Sequence, residues 1–327
     1  MNTEGRLIIE LGRDRANIVS GRRTDLARLM IGRDPGEVPD LLPRLFALCG
    51  EAHRSAAKLA LSGRCGEGQM CRTAAETARE HLLRILMGWR VAGDAPLPAA
   101  PVMALVGTAH AGDEAARVLE QYLRTHILGC MPEAFLRLTD IHGWLEGANL
   151  PPARFLRRIA SGGRAGLGVV KPAFLPDLPT GDLVRRMDTP GFIARPEWDG
   201  PRETGPLARC HAHPLVTSVI AEYGAGLLAR LVARLVELAG IPEEIRAARP
   251  VTGAPGMGVV ETARGRLIHA ANVRNGKITG YTILAPTEWN FHPEGVAARA
   301  LAGLDISDAG AMVEAIDPCV DFELRAA

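Results

Sequence analysis

The sequence predicts an α+β fold, mainly helical, with a small β-sheet formed from N-terminal and C-terminal segments. Short β-prone runs stand at both ends of the chain, and apolar residues at helical spacing fill the middle. An Asn-Gly pair also separates two β-prone runs near the C-terminus. With 327 residues, 47% hydrophobic and 23% charged, the chain fits one large globular domain or two ordinary ones.

The first half of the chain is predicted to start with two strands and to continue with helices. The strands cover residues 6–10 and 16–20, and the charged stretch between them forms a turn. Apolar residues then recur at steps of three and four from Leu41 to Leu59, which predicts a helix. Further helices are predicted over Thr73–Arg90, Asp113–Ile127, Glu133–Glu146, Pro152–Ala160 and Val216–Ala239.

The last third of the chain changes character and is predicted to be rich in β-structure. Asn275 and Gly276 form the turn of a hairpin, because both positions of such a turn need positive φ. Short helices follow near 293–302 and 308–315, before the final segment 316–327. The predicted strands cover residues 258–262, 265–273 and 277–284.

Charge and hydropathy exclude several classes of protein. Lys and Arg (38) nearly balance Asp and Glu (37), so the net charge gives no case for binding nucleic acid. The longest apolar stretch, 214–240, carries charged residues that a bilayer core would not accept, and no secretory signal stands at the N-terminus. We therefore expect a cytoplasmic protein without membrane insertion, whose six cysteines are thiols.

Two segments contain residues that bind metals in other proteins. Cys49 and His53 are four residues apart, so they would share one face of a helix. Asp317-Pro318 precedes Cys319, and such a pair favours an extended or turning backbone that holds a thiol in place. Neither pattern is specific, since a lone helical cysteine is most often a small core residue.

Several segments, taken in order, resemble the large subunit of [NiFe] hydrogenases. The resemblance spans both ends of the chain and implies that fold in a reduced form, as a single domain over residues 1–327. The segments, each with the family pattern that it resembles, are Thr3–Glu10 (R-x-E-G-H-x-x-x-E), Arg44–His53 (R-x-C-G-x-C-x-x-x-H), Glu203–Arg209 (E-V-G-P-L-A-R), Glu261–Gly265 (E-A-P-R-G), Pro286–Asn290 (P-T-T-W-N) and Asp317–Cys319 (the opening of D-P-C-x-x-C-x-x-H).

The departures from the family pattern concern the metal ligands. Hydrogenase large subunits hold nickel and iron with four thiolates, two from each cysteine motif. Here Phe46 and Phe322 take two of those positions, so only Cys49 and Cys319 remain, and Arg325 replaces the terminal histidine. Two thiolates do not form the four-sulfur cage that nickel uses there. The resemblance therefore implies no nickel and no hydrogenase activity, so the protein is expected not to be an enzyme.

The resemblance implies a smaller cargo, an Fe(CN)2(CO) unit. Cys49 and Cys319 would be its metal ligands, and Arg264 matches an arginine that lies over the metals in the family. Thr287 matches a Ser/Thr that donates a hydroxyl to a cyanide, and His53 would bind a site ligand or simply satisfy a helix face. In the alternative interpretation, Arg264 flanks a strand at the surface and Thr287 forms a turn.

The pattern of partial motifs resembles the HupK/HoxV group of hydrogenase assembly proteins. It implies a non-catalytic scaffold that transiently holds the iron unit during assembly of a large subunit. Partners would be hydrogenase maturation proteins, small chaperones that carry the iron unit and, as a further candidate, the large-subunit precursor. Two alternatives are a metal-free mimic of the large subunit that binds chaperones, and a mononuclear iron redox or gas-sensing protein. A zinc site formed by Cys65 and Cys71, with Cys210 and either His211 or His213 as the partner pair, is a weaker alternative.

Overall fold

The structure is a computed structural model that describes residues 5–108 and 112–326. Thr3 and Glu4, from the first segment of the resemblance, lie outside the described residues. The strands are β1 (Arg6–Glu10), β2 (Asn17–Ser20), β3 (Arg64–Cys65), β4 (Val251–Thr252), β5 (Met257–Thr262), β6 (Gly265–Arg274), β7 (Lys277–Leu284) and β8 (Asp321–Arg325).

The helices occupy most of the chain between β3 and β4, which confirms the predicted α+β class. A 3-10 helix covers Thr24–Met30 and a π-helical turn covers Leu123–Leu128. The α-helices are α1 (Val38–Leu45), α2 (Gly50–Ser62), α3 (Glu67–Gly88), α4 (Ala100–Thr108), α5 (Asp113–Tyr122), α6 (Pro132–Leu136), α7 (His142–Gly147), α8 (Pro151–Ser161), α9 (Thr180–Met187), α10 (Pro206–Cys210), α11 (Pro214–Tyr223), α12 (Leu227–Ala247), α13 (Pro286–Asn290), α14 (Val296–Ala300) and α15 (Ile306–Ile316).

The chain divides into two compact units. The first, which we call the sheet unit, is drawn from residues 1–67, 172–205 and 249–327. The second, the helical unit, is drawn from residues 68–171 and 206–248. The organisation as a single domain over 1–327 stays a prediction.

A three-stranded sheet joins the two ends of the chain within the sheet unit. Its strand order is β2-β1-β8, with β1 antiparallel to β2 and parallel to β8. Leu7 and Ile9 of β1 are fully buried, which follows from the alternation of side chains along a strand. The predicted sheet from both termini is confirmed, and the pairing of β8 places the preceding Cys319 next to an ordered strand.

A second sheet, β5-β6-β7, is antiparallel and supports α2. Its β6–β7 turn has Asn275 at φ 50° and Gly276 at φ 71°, so the predicted Asn-Gly hairpin is confirmed. Gly258 of β5 lies against α2, and a Cβ there would be 2.0 Å from the carbonyl oxygen of Ala56. Glycine at this position therefore lets α2, which follows Cys49, lie directly on the sheet.

The continuous helix predicted from Leu41 to Leu59 is wrong. The chain leaves the helix at Phe46 (φ −108°, ψ 106°) and turns at Cys49, which has left-handed dihedrals (φ 56°, ψ 33°). Gly50 then starts α2 and packs against Pro43 of α1, where a Cβ would lie 3.2 Å from the proline side chain. Apolar spacing continues across the break because α1 and α2 each bury one face.

The helical unit forms around α12, which is buried along most of its length. The single helix predicted over 216–239 is wrong, because the chain breaks at Gly224 (φ 78°) and restarts at Leu227. At the break the N–H of Leu227 donates to the carbonyl of Leu167 (2.9 Å), a bond that a continuous helix would not allow. The helix predicted over 133–146 is likewise two helices, α6 and α7.

Among the helices in the described ranges, none combines the length and the apolar character needed to cross a bilayer.

Candidate metal-binding site

Cys49 and Cys319 line one small cavity in the sheet unit, together with His53 and Arg264. The space open to the centre of a water-sized sphere is about 10 Å³. Cys49 is 6% exposed, and Cys319 is half-buried. The structure thus brings four of the sequence-predicted site residues to one small cavity, and the fifth, Thr287, contacts Cys319 directly.

Cys49 stands at the N-terminal end of α2 rather than inside a helix. Its carbonyl accepts from the N–H of His53 (2.9 Å), so the backbone fixes the spacing of the two residues. The prediction that Cys49 lies on a helix with His53 is wrong: the left-handed turn at Cys49, and not helical periodicity, brings its thiol to the cavity that His53 also lines.

The left-handed backbone of Cys49 predicts an unusual order of stability among variants. We expect Cys49→Gly to exceed Cys49→Ala in free energy of unfolding by about 1 kcal/mol, because only glycine adopts positive φ without steric cost. Both variants lack the thiol, so urea denaturation of the pair isolates the backbone. At Lys58, in the middle of α2, the same pair should show the opposite order. A Cys49→Gly variant less stable than Cys49→Ala would contradict the left-handed assignment.

Arg264 connects the two cysteine segments. Its Nη1 donates to Cys49 Sγ (3.3 Å), and its Nε lies 3.4 Å from Asp317 Oδ1. The side chains of Arg264 and Asp317 are only 2% and 1% exposed, so this is a buried ion pair. Because Asp317 is two residues before Cys319, the guanidinium contacts both thiol-bearing segments.

The backbone of Arg264 is held by neighbouring side chains. It lies in the short turn between β5 and β6, where its N–H donates to Thr262 Oγ1 (3.1 Å). Its carbonyl accepts from Asn290 Nδ2 (3.1 Å), and the amide oxygen of Asn290 accepts from the N–H of Thr204 (2.8 Å). The guanidinium therefore projects from a turn that Thr262 and two other segments, those of Asn290 and Thr204, fix in place.

Thr287 holds Cys319. Its hydroxyl accepts from the N–H of Cys319 (3.0 Å) and donates to Cys319 Sγ (3.0 Å). Burial raises the pKa of the Cys319 thiol, an effect that the nearby guanidinium of Arg22 partly offsets. Arg22 forms a buried ion pair with Glu288 (2.5 Å), the residue after Thr287.

A buried chain of hydrogen bonds leads away from the cavity. His53 Nδ1 lies 3.0 Å from His269 Nε2, and His269 Nδ1 lies 2.8 Å from Tyr281 Oη. Burial lowers the pKa of His53 well below its usual value and that of His269 to about 3, so both rings are neutral at pH 7. A neutral imidazole has one donor and one acceptor, so the chain has two consistent proton arrangements. Nε2 of His53 is the donor in one and the acceptor in the other.

Sequence reasoning missed four of these residues: Arg22, His269, Tyr281 and Glu288. The nearest to a local signal was a polar residue between apolar neighbours, at His269 of β6.

At three positions the family pattern has a metal-binding residue and this chain has another residue, and these three residues have other roles in the structure. Phe46 is 4% exposed and stacks on the ring of His53, with centroids 4.1 Å apart and planes inclined by 6°. Phe322 lies in β8 opposite Leu7, and Arg325 pairs with Glu323 at the surface (2.9 Å). Phe46 therefore forms an aromatic stack in place of a metal ligand, and Arg325 forms a surface ion pair.

The cysteines considered for a zinc site are buried or half-buried. Cys71 donates weakly to the carbonyl of Ile245 (3.6 Å), Cys65 is 2% exposed, and burial raises the pKa of Cys210 to about 12. Within residues 5–108 and 112–326, no three His, Cys, Asp or Glu side chains are grouped closely enough to hold a metal ion. The zinc alternative thus lacks a set of ligands in those residues. The cavity of Cys49 and Cys319 provides two thiols.

Comparisons with known proteins agree with the segments quoted above. Residues 195–320 match the family of nickel-dependent hydrogenases. The chain is 30% identical to the hydrogenase expression/formation protein HupV of Azotobacter chroococcum, over 92% of this chain and 90% of that protein. It is 31% identical to HoxV of Cupriavidus necator (94% and 92% covered) and to HupK of Bradyrhizobium diazoefficiens (92% and 90% covered).

Solved structures give the fold. The reduced Ni-Fe-Se hydrogenase of D. vulgaris Hildenborough superposes with a TM-score of 0.58 and 18% identity, covering 93% of both chains. The reduced enzyme of Desulfomicrobium baculatum gives a TM-score of 0.57 and 16% identity, covering 97% of both. The predicted large-subunit-like fold is thus confirmed. With this fold, and with 30–31% identity over nearly the whole chain, the protein belongs to the family of hydrogenase expression/formation proteins that includes HupK, HoxV and HupV.

Proposed function

We propose that this protein is a non-catalytic maturation scaffold that transiently holds an Fe(CN)2(CO) unit during assembly of a [NiFe] hydrogenase large subunit. One observation carries the proposal: Cys49 and Cys319, from opposite ends of the chain, line the same small cavity. Each sulfur also accepts a hydrogen bond, from Arg264 or from Thr287. The names of the relatives, hydrogenase expression/formation proteins, support a role in assembly.

The number of thiols supports a metal that brings ligands of its own. An iron ion with three diatomic ligands needs only two or three more, and soft thiolates suit it. A bare zinc ion would need four ligands in a structural site. Two thiols with apolar neighbours such as Leu48 and Leu267 match the first requirement and not the second.

The electrostatics of the cavity support transient binding. A thiol must lose its proton to bind a metal, and the metal's charge drives that loss. The guanidinium of Arg264 donates a hydrogen bond to the sulfur of Cys49, whereas burial raises the pKa of Cys319 and favours its thiol. Return of a proton to Cys319 would therefore weaken the hold on the iron unit. With the unit bound, Arg264 and Thr287 are the donors suited to its anionic cyanides.

The proposed partners follow from the cargo. The scaffold would receive the iron unit from hydrogenase maturation proteins or from the small chaperones that carry it. It would then release the unit toward the large-subunit precursor.

Infrared spectroscopy tests the proposal. When the protein is purified without oxygen from cells with an active hydrogenase maturation system, we expect cyanide and carbonyl bands. Cys49→Ser and Cys319→Ser should abolish the bands, because each removes one of only two thiolates. Cys130→Ser, at a half-buried cysteine of the helical unit, should keep them.

Other outcomes would support the alternatives. Folded wild-type protein that carries neither bands nor iron would contradict the proposal and favour a metal-free mimic of the large subunit. Bands that persist in both cysteine variants would place the iron unit elsewhere. Hydrogen-dependent dye reduction by the isolated protein would favour a redox or sensing protein.

A further inference from the structure

The cavity between the two cysteines is small for the proposed cargo. About 10 Å³ of centre-accessible space holds roughly one water molecule. Three diatomic ligands, each with two heavy atoms and therefore larger than a water molecule, need several times that space. The bulk of the iron unit therefore needs a second space next to the cysteines, at least while it arrives.

A larger pocket of about 320 Å³ lies beside Thr287 in the same sheet unit. Thr287 lines this pocket, and its hydroxyl contacts both the sulfur and the N–H of Cys319, which lines the smaller cavity. We call this space the receiving pocket and define it by Ser20, Arg22, Ala194, Arg195, Thr287 and Glu288.

The receiving pocket carries a net positive charge. Its charged lining residues are Arg22, Arg195 and Glu288, two guanidinium groups against one carboxylate. Arg22 is held at the base of the pocket by its ion pair with Glu288, with side chains 7% and 5% exposed. Guanidinium groups are strong donors to anionic acceptors, and cyanide nitrogens are such acceptors.

The two thiols differ in access. Cys319 is half-buried and contacts Thr287, which lines the receiving pocket, whereas Cys49 is 6% exposed and contacts Arg264. A ligand that enters through the receiving pocket would therefore meet Cys319 before Cys49.

We propose that the receiving pocket is the first binding site of the cyanide-bearing iron unit, which then passes Thr287 to reach Cys319 and finally Cys49. The identity of the cargo rests on the proposed function. The route to Cys319 does not, because it can be tested with a small thiol reagent in the protein alone.

Alkylation tests the route. Native protein is treated with iodoacetamide, and the rate at each cysteine is followed by mass spectrometry of peptides. We expect Ala194→Trp, which fills the pocket from an exposed position, to slow alkylation of Cys319 roughly tenfold, since thiol reactions depend on access. Ala254→Trp, in the exposed loop before β5, should leave the rate unchanged. Cys65, 2% exposed, reports any reaction through unfolding.

Charge tests the same route independently. Arg195→Glu should lower the rate with iodoacetate relative to iodoacetamide by about tenfold, because the pocket then repels the anionic reagent. Arg274→Glu, at the exposed end of β6, should leave this ratio unchanged. An unchanged Cys319 rate in Ala194→Trp, or a wild-type Cys319 as inert as Cys65, would overturn the proposed route.

Loading of the iron unit separates the two proposals. If wild-type protein shows cyanide and carbonyl bands, Ala194→Trp should reduce them at equal expression, whereas Ala254→Trp should not. Undiminished bands in Ala194→Trp would overturn the receiving pocket while the scaffold function stands. Absence of bands in wild-type protein would overturn the scaffold function, and the alkylation rates would still decide the route.

Discussion

Arg264→Met is expected to lower the free energy of unfolding by about 3–5 kcal/mol, because it leaves the carboxylate of Asp317 buried without its ion-pair partner. The two side chains are 2% and 1% exposed, and Nε lies 3.4 Å from Oδ1. The variant also removes the donor to Cys49 Sγ. Urea denaturation followed by circular dichroism measures the loss.

A double variant separates the charge from the packing. Arg264→Met with Asp317→Asn should recover most of the lost stability, because removing both charges of a buried pair is often nearly neutral. Arg23→Met, which breaks an exposed pair with Asp25, should have no measurable effect. Equal instability of the single and double Arg264 variants would show that the ion pair is not the cause. If the double variant folds but lacks infrared bands, Arg264 acts on the cargo as well as on the fold.

The parts of the fold that were predicted correctly depend on short sequence patterns within the element itself. The Asn275–Gly276 hairpin depends on two adjacent residues that tolerate positive φ, and both terminal strands are short β-prone runs. The breaks at Cys49 and at Gly224 were missed for one physical reason. A single left-handed residue redirects the chain, but apolar residues on either side still cover the same core, so helical spacing continues through the turn.

The site residues could be predicted only where they belong to the segments that resemble a known family. Cys49, Arg264, Thr287 and Cys319 came from ordered segments that resemble a known family, and the structure gathers them. His269 was not predictable, because its partners His53 and Tyr281 lie 216 and 12 positions away and tertiary packing alone joins them.

Backbone strain marks both cysteine segments in a way that composition does not reveal. The described non-glycine residues with positive φ are Cys49, Asp199, Asn275 and Asp317, and two of these four belong to the cavity's own segments. Asp317 adopts φ 67° before a proline, a position where extended dihedrals are normally favoured. Strain of this kind persists only where the surrounding structure holds it, and it concentrates at functional sites.

Acid is expected to destabilise the protein through its buried neutral histidines. In the helical unit, burial lowers the pKa of His81, which bonds Glu237 (2.7 Å). Despite its burial, Glu237 has a pKa of about 2, because Arg209 and His81 stabilise its carboxylate. Both groups bind fewer protons in the folded protein than in the unfolded chain as the pH falls, so both make the free energy of unfolding decrease on acidification.

The pKa of His269 sets the expected size of this loss of unfolding free energy. Its pKa is about 3 when folded and 6.5 in the unfolded chain, so above pH 6.5 it is neutral in both states and has no effect. Below pH 6.5 only the unfolded chain takes up the proton, and by pH 5 this costs about 2 kcal/mol of unfolding free energy. His269→Gln, which stays neutral, should remove that share of the loss in urea titrations at pH 7 and pH 5.

An exposed histidine provides a control of opposite sign. The hydrogen bond that protonated His142 donates to Glu222 raises the pKa of His142, so its contribution is present below pH 6.5 and is lost as the pH rises through the raised pKa. His142→Gln should therefore leave the acid loss intact or make it slightly steeper. If His269→Gln and wild-type protein lose the same stability between pH 7 and pH 5, the folded ring of His269 takes up its proton over the same pH range as the unfolded chain and is protonated at pH 5. The hydrogen-bond chain from His53 to Tyr281 would then carry a positive charge next to the cysteine cavity, which would favour thiolates there even without metal.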